Sequence, residues 1–307
     1  MKNNGKCPCL WNFSHAFPDE TCYSLLCRYA VRRGHLTSSQ VCLDLFGHTE
    51  PLSGYLFKPF RKKDVLKWFA KRSLLPLPEF VADHSCYPFY AAFLEREDAE
   101  KVRHCRTGSV LTSGQAKRIN RLCGFPRGHK KNLWYCPECV REDITVHGET
   151  CWRRLPQMPG AVWCPAHRVA LRESGTRVQD INYQLLPATY ALMHVYDPEQ
   201  ETGTVYGERY LDLSRDIAWL LKNGDSIPDG EWMARNYLQT TGRSINTYLL
   251  HDISGSSSRG KRFEDYLANR IMKDIGKDSI DTPVSRQIGS ILSIEKAFGS
   301  MEKFCER

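Results

Sequence analysis

The sequence has no run approaching 18 continuous apolar residues, so no segment reads as a membrane-spanning helix. It has no Gly-rich phosphate loop, no His-Glu-x-x-His and no carboxylate cluster at metal spacing. Those absences remove the usual signatures of a nucleotide hydrolase, a zinc hydrolase and a metal-dependent nuclease, and the chain is not expected to be an enzyme. Asp19, Glu20 and Asp143 stand isolated and read as helix caps and surface charges. No internal repeat is visible. The opening residues Met1 to Lys6 are polar and carry no export signal, so a cytoplasmic location is expected, nucleoid-associated on DNA. In that compartment the 13 cysteines are not a disulfide framework.

What is present begins with two short turns. Cys136-Pro137-Glu138-Cys139 is followed, 24 residues later, by Cys164-Pro165-Ala166-His167. A two-residue turn aims the ligands on both its sides at one point. Two such turns supply three thiolates and an imidazole, a set that suits tetrahedral Zn²⁺ with no position left for water. Proline in each turn fixes φ and limits the ordering that metal binding must impose. The expectation is one structural Zn²⁺ held by Cys136, Cys139, Cys164 and His167. A redox pair at Cys136 and Cys139 is disfavoured, because the second turn matches the first and no βαβ pattern surrounds them. Cys7-Pro8-Cys9 is too tight for such a turn and reads as an N-terminal arm, not a second site.

Charge is uneven. The net charge is +8. Residues 1–175 hold 27 Lys and Arg against 16 Asp and Glu, a balance of +11, and residues 176–307 hold 16 against 19, a balance of −3. A basic front half points to nucleic acid or an acidic protein as partner. Candidate phosphate contacts are Arg61, Lys62 and Lys63 on a basic amphipathic helix over 61–72. Lys117, Arg118, Arg121, Arg127, Lys130 and Lys131 form the densest basic run, directly before the metal turns. A solvated surface is the competing reading for both groups.

Along the chain, Pro18 and Asp19 signal a helix start and Gly34 a stop, which predicts a helix from Asp19 or Glu20 to Arg33 with Arg28, Arg32 and Arg33 largely off its apolar stripe. Thr37-x-x-Gln40 is a capping box for a second helix to about Phe46. The pair resembles a helix-turn-helix, equally consistent with DNA reading, partner docking or core packing. His84 to Tyr90 reads as aromatic core, Ser113 to Leu122 as a helix, and Trp134, Trp152 and Trp163 as packing around the ligands. Residues 172–207 lack periodicity and hold the expected domain boundary. Beyond it Leu213, Ile217, Leu220 and Leu221 share a helical face. Further helices are expected after Trp232, over Phe263 to Ile275 and as one helix over Val284 to Phe304, with a flexible linker at Ser254 to Lys261.

Several of these stretches together resemble the TnsD/TniQ family of transposon target-selection proteins. They are Phe17-Pro18-Asp19-Glu20-Thr21 running to Tyr29, His84-Ser85-Cys86-Tyr87-Pro88-Phe89-Tyr90, the two metal turns, Gly148-Glu149-x-x-Trp152 and Pro159-Gly160, in family order over residues 17–171. Where Cys22 stands, the family more often has an aliphatic residue. The resemblance implies target-site selection: binding double-stranded target DNA and recruiting the AAA+ ATPase TnsC. The alternative it implies is a TniQ subunit joining a CRISPR effector complex to TnsC. The expected architecture is mostly α with a zinc-finger module. Residues 1–175 would form a TniQ-like domain, helix-turn-helix-like over 17–75 with the zinc module over 132–171. Residues 176–307 would form a linker and helical C-terminal domain.

Overall fold

Chain direction changes abruptly at Asp19, and much of the architecture follows from what holds it there. A computed structural model describes residues 15–46, 76–106, 130–178, 180, 184–193, 208–241 and 283–306. Asp19 takes a positive φ of 60° and Glu20 forms an isolated β-bridge with Arg153. The backbone is pinned there by Arg154 N–H to Asp19 O at 2.8 Å and Thr21 N–H to Trp152 O at 2.9 Å. Helix α1 (Cys22–Arg33) therefore starts later than the Asp19 or Glu20 expected from sequence. Thr21 is the N-cap, its hydroxyl accepting from Ser24 N at 3.1 Å, and Gly34 closes the helix at φ 69°.

Helix α2 (Ser38–Phe46) has the expected capping box: Gln40 N–H donates to Thr37 Oγ1 at 3.2 Å and Thr37 N–H to Gln40 Oε1 at 3.0 Å. Asp44 joins the two helices by accepting from Tyr29 Oη at 2.7 Å, with Arg33 Nε at 3.2 Å and His35 Nε2 at 2.9 Å. Next come α3 (Leu77–His84), α4 (Tyr87–Ala91) and α5 (Arg96–Arg106). Tyr87, Phe89 and Tyr90 are buried, which bears out the aromatic-core reading of His84 to Tyr90, and Phe80 and Phe93 on either side join them. The basic helix over 61–72, the helix over Ser113 to Leu122, the linker at Ser254 to Lys261 and the helix over Phe263 to Ile275 lie outside the described residues.

The middle of the chain is a small β-ribbon with a helix. Strand β1 (Asn132–Tyr135) leads into α6 (Pro137–His147), and the strands β2 (Trp163–Cys164), β3 (Val169–Ala170) and β4 (Arg172–Arg177) follow. β1 pairs antiparallel with β4, Trp134 opposite Glu173 and Tyr135 opposite Arg172; β2 pairs antiparallel with β3, Trp163 opposite Ala170. Leu171 N–H donates to Val162 O at 2.9 Å, so residues 169–177 run as one bent strand that holds β2 first and β1 afterwards. β4 lies in a stretch where sequence periodicity gave no strand. Its alternation is carried by one buried serine, Ser174, among polar neighbours, too faint an apolar signal to register.

Among the described residues the C-terminal half is helical: α7 (Ala188–Leu192), α8 (Glu208–Asn223), α9 (Gly230–Thr241), α10 (Pro283–Phe298) and α11 (Met301–Cys305). Leu213, Ile217, Leu220 and Leu221 of α8 are all buried, as their spacing predicts. The single final helix expected over Val284 to Phe304 is instead broken. Gly299 turns the chain at φ 89° and Ser300 caps α11. α8 is the central strut, packing on α4, on β2 and on α10 and α11. Its residues share one apolar cluster with Trp134, Trp152, Cys136 and Cys164. Two glycines allow close approach: a Cβ on Gly160 would lie 2.8 Å from Ile288 Cδ1, and one on Gly224 would lie 2.1 Å from Pro88 O. Among the described residues no helix is long and apolar enough to cross a membrane.

Asp216, on α8, holds α11 in place by accepting from Met301 N–H at 3.0 Å, while its second oxygen has no partner. Burial pushes its carboxyl up to about 6, and Asp212 and Glu302 push the same way. The folded chain thus keeps this proton to higher pH than the unfolded chain does. Stability from this group is fully present below the ordinary carboxylate value, falls as pH rises towards 6, and stays reduced above it. Asp216→Asn, which still accepts from Met301, is expected to raise the melting temperature by several degrees at pH 7.5 and to have little effect at pH 4. A gain of equal size at both pH values would remove the carboxylate as its cause.

Candidate metal centre

Each half of the centre is shaped by its local sequence. Cys136 follows β1 directly and is the N-cap of α6, with Pro137 at the first helical position, where a missing N–H is tolerated. Its Sγ accepts from Cys139 N–H at 3.5 Å, and the N-terminal end of the helix dipole favours a thiolate there. In the second half, Arg168 N–H donates to Cys164 O at 2.8 Å, and Arg168 takes φ 56° to close the turn that presents His167. The bent strand following that turn pairs with β1, so one strand fixes both turns relative to each other.

Among the described residues, Cys136, Cys139, Cys164 and His167 bring their ligand atoms within 4.8 Å of one another. Cys139 Sγ and Cys164 Sγ are 3.9 Å apart. His167 Nδ1 lies 3.6 Å from Cys136 Sγ, 3.4 Å from Cys139 Sγ and 3.5 Å from Cys164 Sγ. A tetrahedron with metal–sulfur bonds of about 2.3 Å and a metal–nitrogen bond of about 2.0 Å has edges of roughly 3.8 Å between sulfurs and roughly 3.5 Å from sulfur to nitrogen. The donor set fits a tetrahedral metal ion in both chemistry and size. Without a cation the thiols share protons unevenly. Hydrogen bonds from Cys136 and then Cys139 hold Cys164 well below the usual thiol range, while the neighbouring Cys136 and then Cys164 push Cys139 up. A dication would relieve that competition.

The surrounding shell is built from groups that sequence reading missed or misread. His167 Nε2 lies 3.0 Å from Glu142 Oε1, the arrangement in which a carboxylate fixes the ring tautomer and leaves Nδ1 free to ligate. Burial lowers the affinity of the His167 ring for a proton, but Glu142 and Cys164 outweigh it. Glu142 stands three residues after Cys139 on the helix that the first turn begins, and that offset is the signal that could have identified it. Asp143, read from sequence as a surface charge, is buried. It takes Arg153 in a two-point contact at 2.6 and 2.8 Å, plus the Thr150 hydroxyl at 2.8 Å. Gln157 brackets Trp134, accepting from its N–H at 3.0 Å and donating to its carbonyl at 2.8 Å.

Glu20 is likewise buried, and Asp19 is half-buried against Arg154. Arg154 donates to Asp19 Oδ1 at 2.7 Å, to Ser85 O at 2.9 Å and to Ala82 O. Glu20 is fully buried and takes Arg28 Nη1 at 2.7 Å. Burial pushes the Glu20 carboxyl up to about 6 despite Arg28 beside it. Arg28 and Arg32 also share Glu149, at 2.9 and 2.5 Å. Arg28, off the apolar stripe of α1, is buried because carboxylates surround it. His84 Nδ1 lies 2.8 Å from Glu20 O, and Cys22 Sγ donates to His84 O. Three separated stretches, Phe17 to Tyr29, His84 to Tyr90 and Glu149 to Leu155, thereby meet in one buried polar seam beside the metal turns.

Of the nine proposed phosphate contacts, Arg61, Lys62, Lys63, Lys117, Arg118, Arg121 and Arg127 lie outside the described residues. Lys131 is exposed where β1 begins. Lys130 is a correction. It is 2% exposed, donates to Pro156 O at 2.7 Å and to Ala161 O, and lies 4.2 Å from the centre of the Trp134 ring. Burial drives its proton affinity well down. Its terminal amino group ties the loop between the two Cys-Pro turns and is not presented to a phosphate.

These features define a mostly helical protein assembled around a two-turn ribbon whose Cys₃His cluster could hold a metal ion. The family profile described as TniQ matches residues 13–171, more than half the chain, and the chain belongs to the TniQ family of transposition target-selection proteins. It is similar to the Transposon Tn7 transposition protein TnsD of Escherichia coli, 22% identical over 160 residues, which is 51% of this chain and 30% of that protein. The match thus spans under a third of that relative's length.

Glu142→Ala is expected to lower metal affinity about 10-fold in a chelator competition, the low end for such a carboxylate because 57% of the Glu142 side chain is exposed. Glu142→Gln, which can still accept from Nε2, is expected to lose less. Unchanged affinity in the alanine variant would dismiss the orienting role.

Proposed function

We propose that this chain is a non-enzymatic target selector. It binds double-stranded target DNA and recruits the AAA+ regulator TnsC to direct transposon insertion. What carries the reading is that the family match covers the stretches that meet in the polar seam and both Cys-Pro turns. That core is a rigid, chemically closed body suited to positioning and not to turnover. The ion is Zn²⁺: three thiolates and one imidazole in a tetrahedron suit a borderline-soft d¹⁰ cation, and four protein ligands leave no open position for catalysis. Cys136, Cys139, Cys164 and His167 hold it, and its work is to lock the two turns and the strand between them. Residues 1–175 supply the TniQ-like domain, and the helices beyond supply a docking arm. Work on target DNA implies a cytoplasmic, nucleoid-associated location.

A second reading is favoured by one observation. The helix pair α1–α2 resembles a helix-turn-helix, yet Arg28, Arg32 and Arg33 are all engaged with carboxylates of this chain. A pair with its cations so occupied suits protein docking, as in a subunit that joins a CRISPR effector complex to TnsC.

Metal analysis of the purified chain is expected to give about one zinc per chain, and Cys164→Ser to lose it with loss of solubility. Duplex binding, followed by gel shift, is expected to weaken steeply with salt, log affinity falling by roughly 0.9 per phosphate contact against log salt. Capture of TnsC on the immobilised chain completes the set. A chain that binds neither duplex DNA at low salt nor TnsC would end the reading, and co-purification with a guide-RNA complex without duplex binding would replace it with the second.

A further inference from the structure

The two halves of the metal centre are supported differently. Cys136 and Cys139 stand at the start of α6, an 11-residue helix that carries them both. Cys164 and His167 have no helix of their own. They stand on β2, which is two residues long, and on the turn that follows it. So short a strand pair is not stable alone, and its position is imposed by what it leans on. Besides β3, it leans on the C-terminal helices. Trp163 N–H, one residue before Cys164, donates to Ser214 Oγ of α8 at 3.3 Å, and Ser214 Oγ donates in turn to Tyr210 O at 2.8 Å. Four residues before Cys164 the chain turns at Gly160, φ 80°, on a seat of two isoleucines. A Cβ there would lie 2.8 Å from Ile288 Cδ1 of α10 and 3.4 Å from Ile217 Cδ1 of α8. Ser214, Ile217 and Ile288 are all fully buried.

We propose that Ser214 and Ile288 are positioning residues of the metal centre, holding the stretch from Gly160 to Cys164 where Cys164 and His167 complete the ligand set. This role rests on the zinc reading above. It goes beyond the family match, which ends at residue 171, whereas both residues lie on later helices. Metal–ligand distances tolerate only about 0.2 Å of error, so a second turn free to slide would carry its two ligands out of reach of the first. Ser214 has no use within its own helix. A serine bonded to the carbonyl four residues back slightly destabilises a helix, and alanine would fill the core as well. What uses the hydroxyl is the Trp163 N–H. By linkage the effect is reciprocal: a seat that favours the metal is favoured by the metal to the same factor. Metal loading therefore also fastens α8 and α10 to the ribbon.

The test compares two double variants of the full chain, each deleting one buried helix hydroxyl and one isoleucine δ-methyl. The first is Ser214→Ala with Ile288→Val. The control is Ser293→Ala with Ile294→Val on α10, where Ser293 Oγ makes the same kind of bond, to Gly289 O at 2.9 Å, and both residues are buried. Affinity for Zn²⁺ is read by chelator competition, and release by transfer to excess chelator, with the unfolding temperature measured alongside. The Ser214 and Ile288 variant is expected to bind Zn²⁺ at least about 5-fold more weakly and to release it faster, at a fall in melting temperature similar to the control's. The control is expected to keep the parental affinity. Each single substitution is measured as well, so a double variant that fails to fold still leaves a reading. Unchanged affinity in the Ser214 and Ile288 variants, or equal losses in those and the control, would overturn the positioning role and leave the zinc reading standing. A parent chain that holds no zinc would overturn both.

Discussion

Three sulfurs and one ring nitrogen crowd within 4.8 Å of one another, and the middle of the molecule is arranged to keep them there. The crowding is unfavourable by itself, since neighbouring thiols compete for protons and only one is readily ionised. What enforces it is backbone. The bent strand over residues 169–177 is paired with β2 at one end and β1 at the other, and each partner strand leads to one of the ligand turns. Removing that pairing would free the turns to separate, and the Lys130 and Gln157 bonds would then have nothing to brace.

Outside the ribbon, buried charge does the organising. Asp19 with Arg154, Glu20 with Arg28, and Asp143 with Arg153 join stretches that lie from 8 to 135 residues apart. Such pairs add little net stability, because desolvation consumes most of the attraction, but breaking one side leaves a bare buried charge and costs about 3 to 5 kcal/mol. Their contribution is specificity of arrangement. Asp19 takes a positive φ just before α1, and there both its carbonyl and its carboxylate accept from Arg154.

The parts legible in the sequence were those written in local chemistry. The two Cys-Pro turns pointed to the four side chains that cluster, the capping box at Thr37 and Gln40 located α2, and helical spacing identified the buried face of α8. The parts that were not legible depend on partners far along the chain. Nothing beside Asp143 in the sequence announces Arg153 and Thr150 as its neighbours, so it reads as solvated. Lys130 belongs to a basic run, yet two carbonyls and an indole ring draw it inwards. β4 is nearly all polar, and its pairing is set by β1, not by its own pattern. The family resemblance covered the stretches that form the seam, but their order along the chain could not reveal that they touch.

The contact between Gly224 and Pro88 has an implication for how the two halves stay aligned. There the end of the central strut meets α4 main chain to main chain, with no side chain between them. A joint of that kind contains nothing that can titrate, oxidise or be screened by salt. The arginine seam, by contrast, is sensitive to ionic conditions and to acid. Conditions that loosen the seam would therefore slacken the first half within itself and leave the glycine contact between the halves untouched.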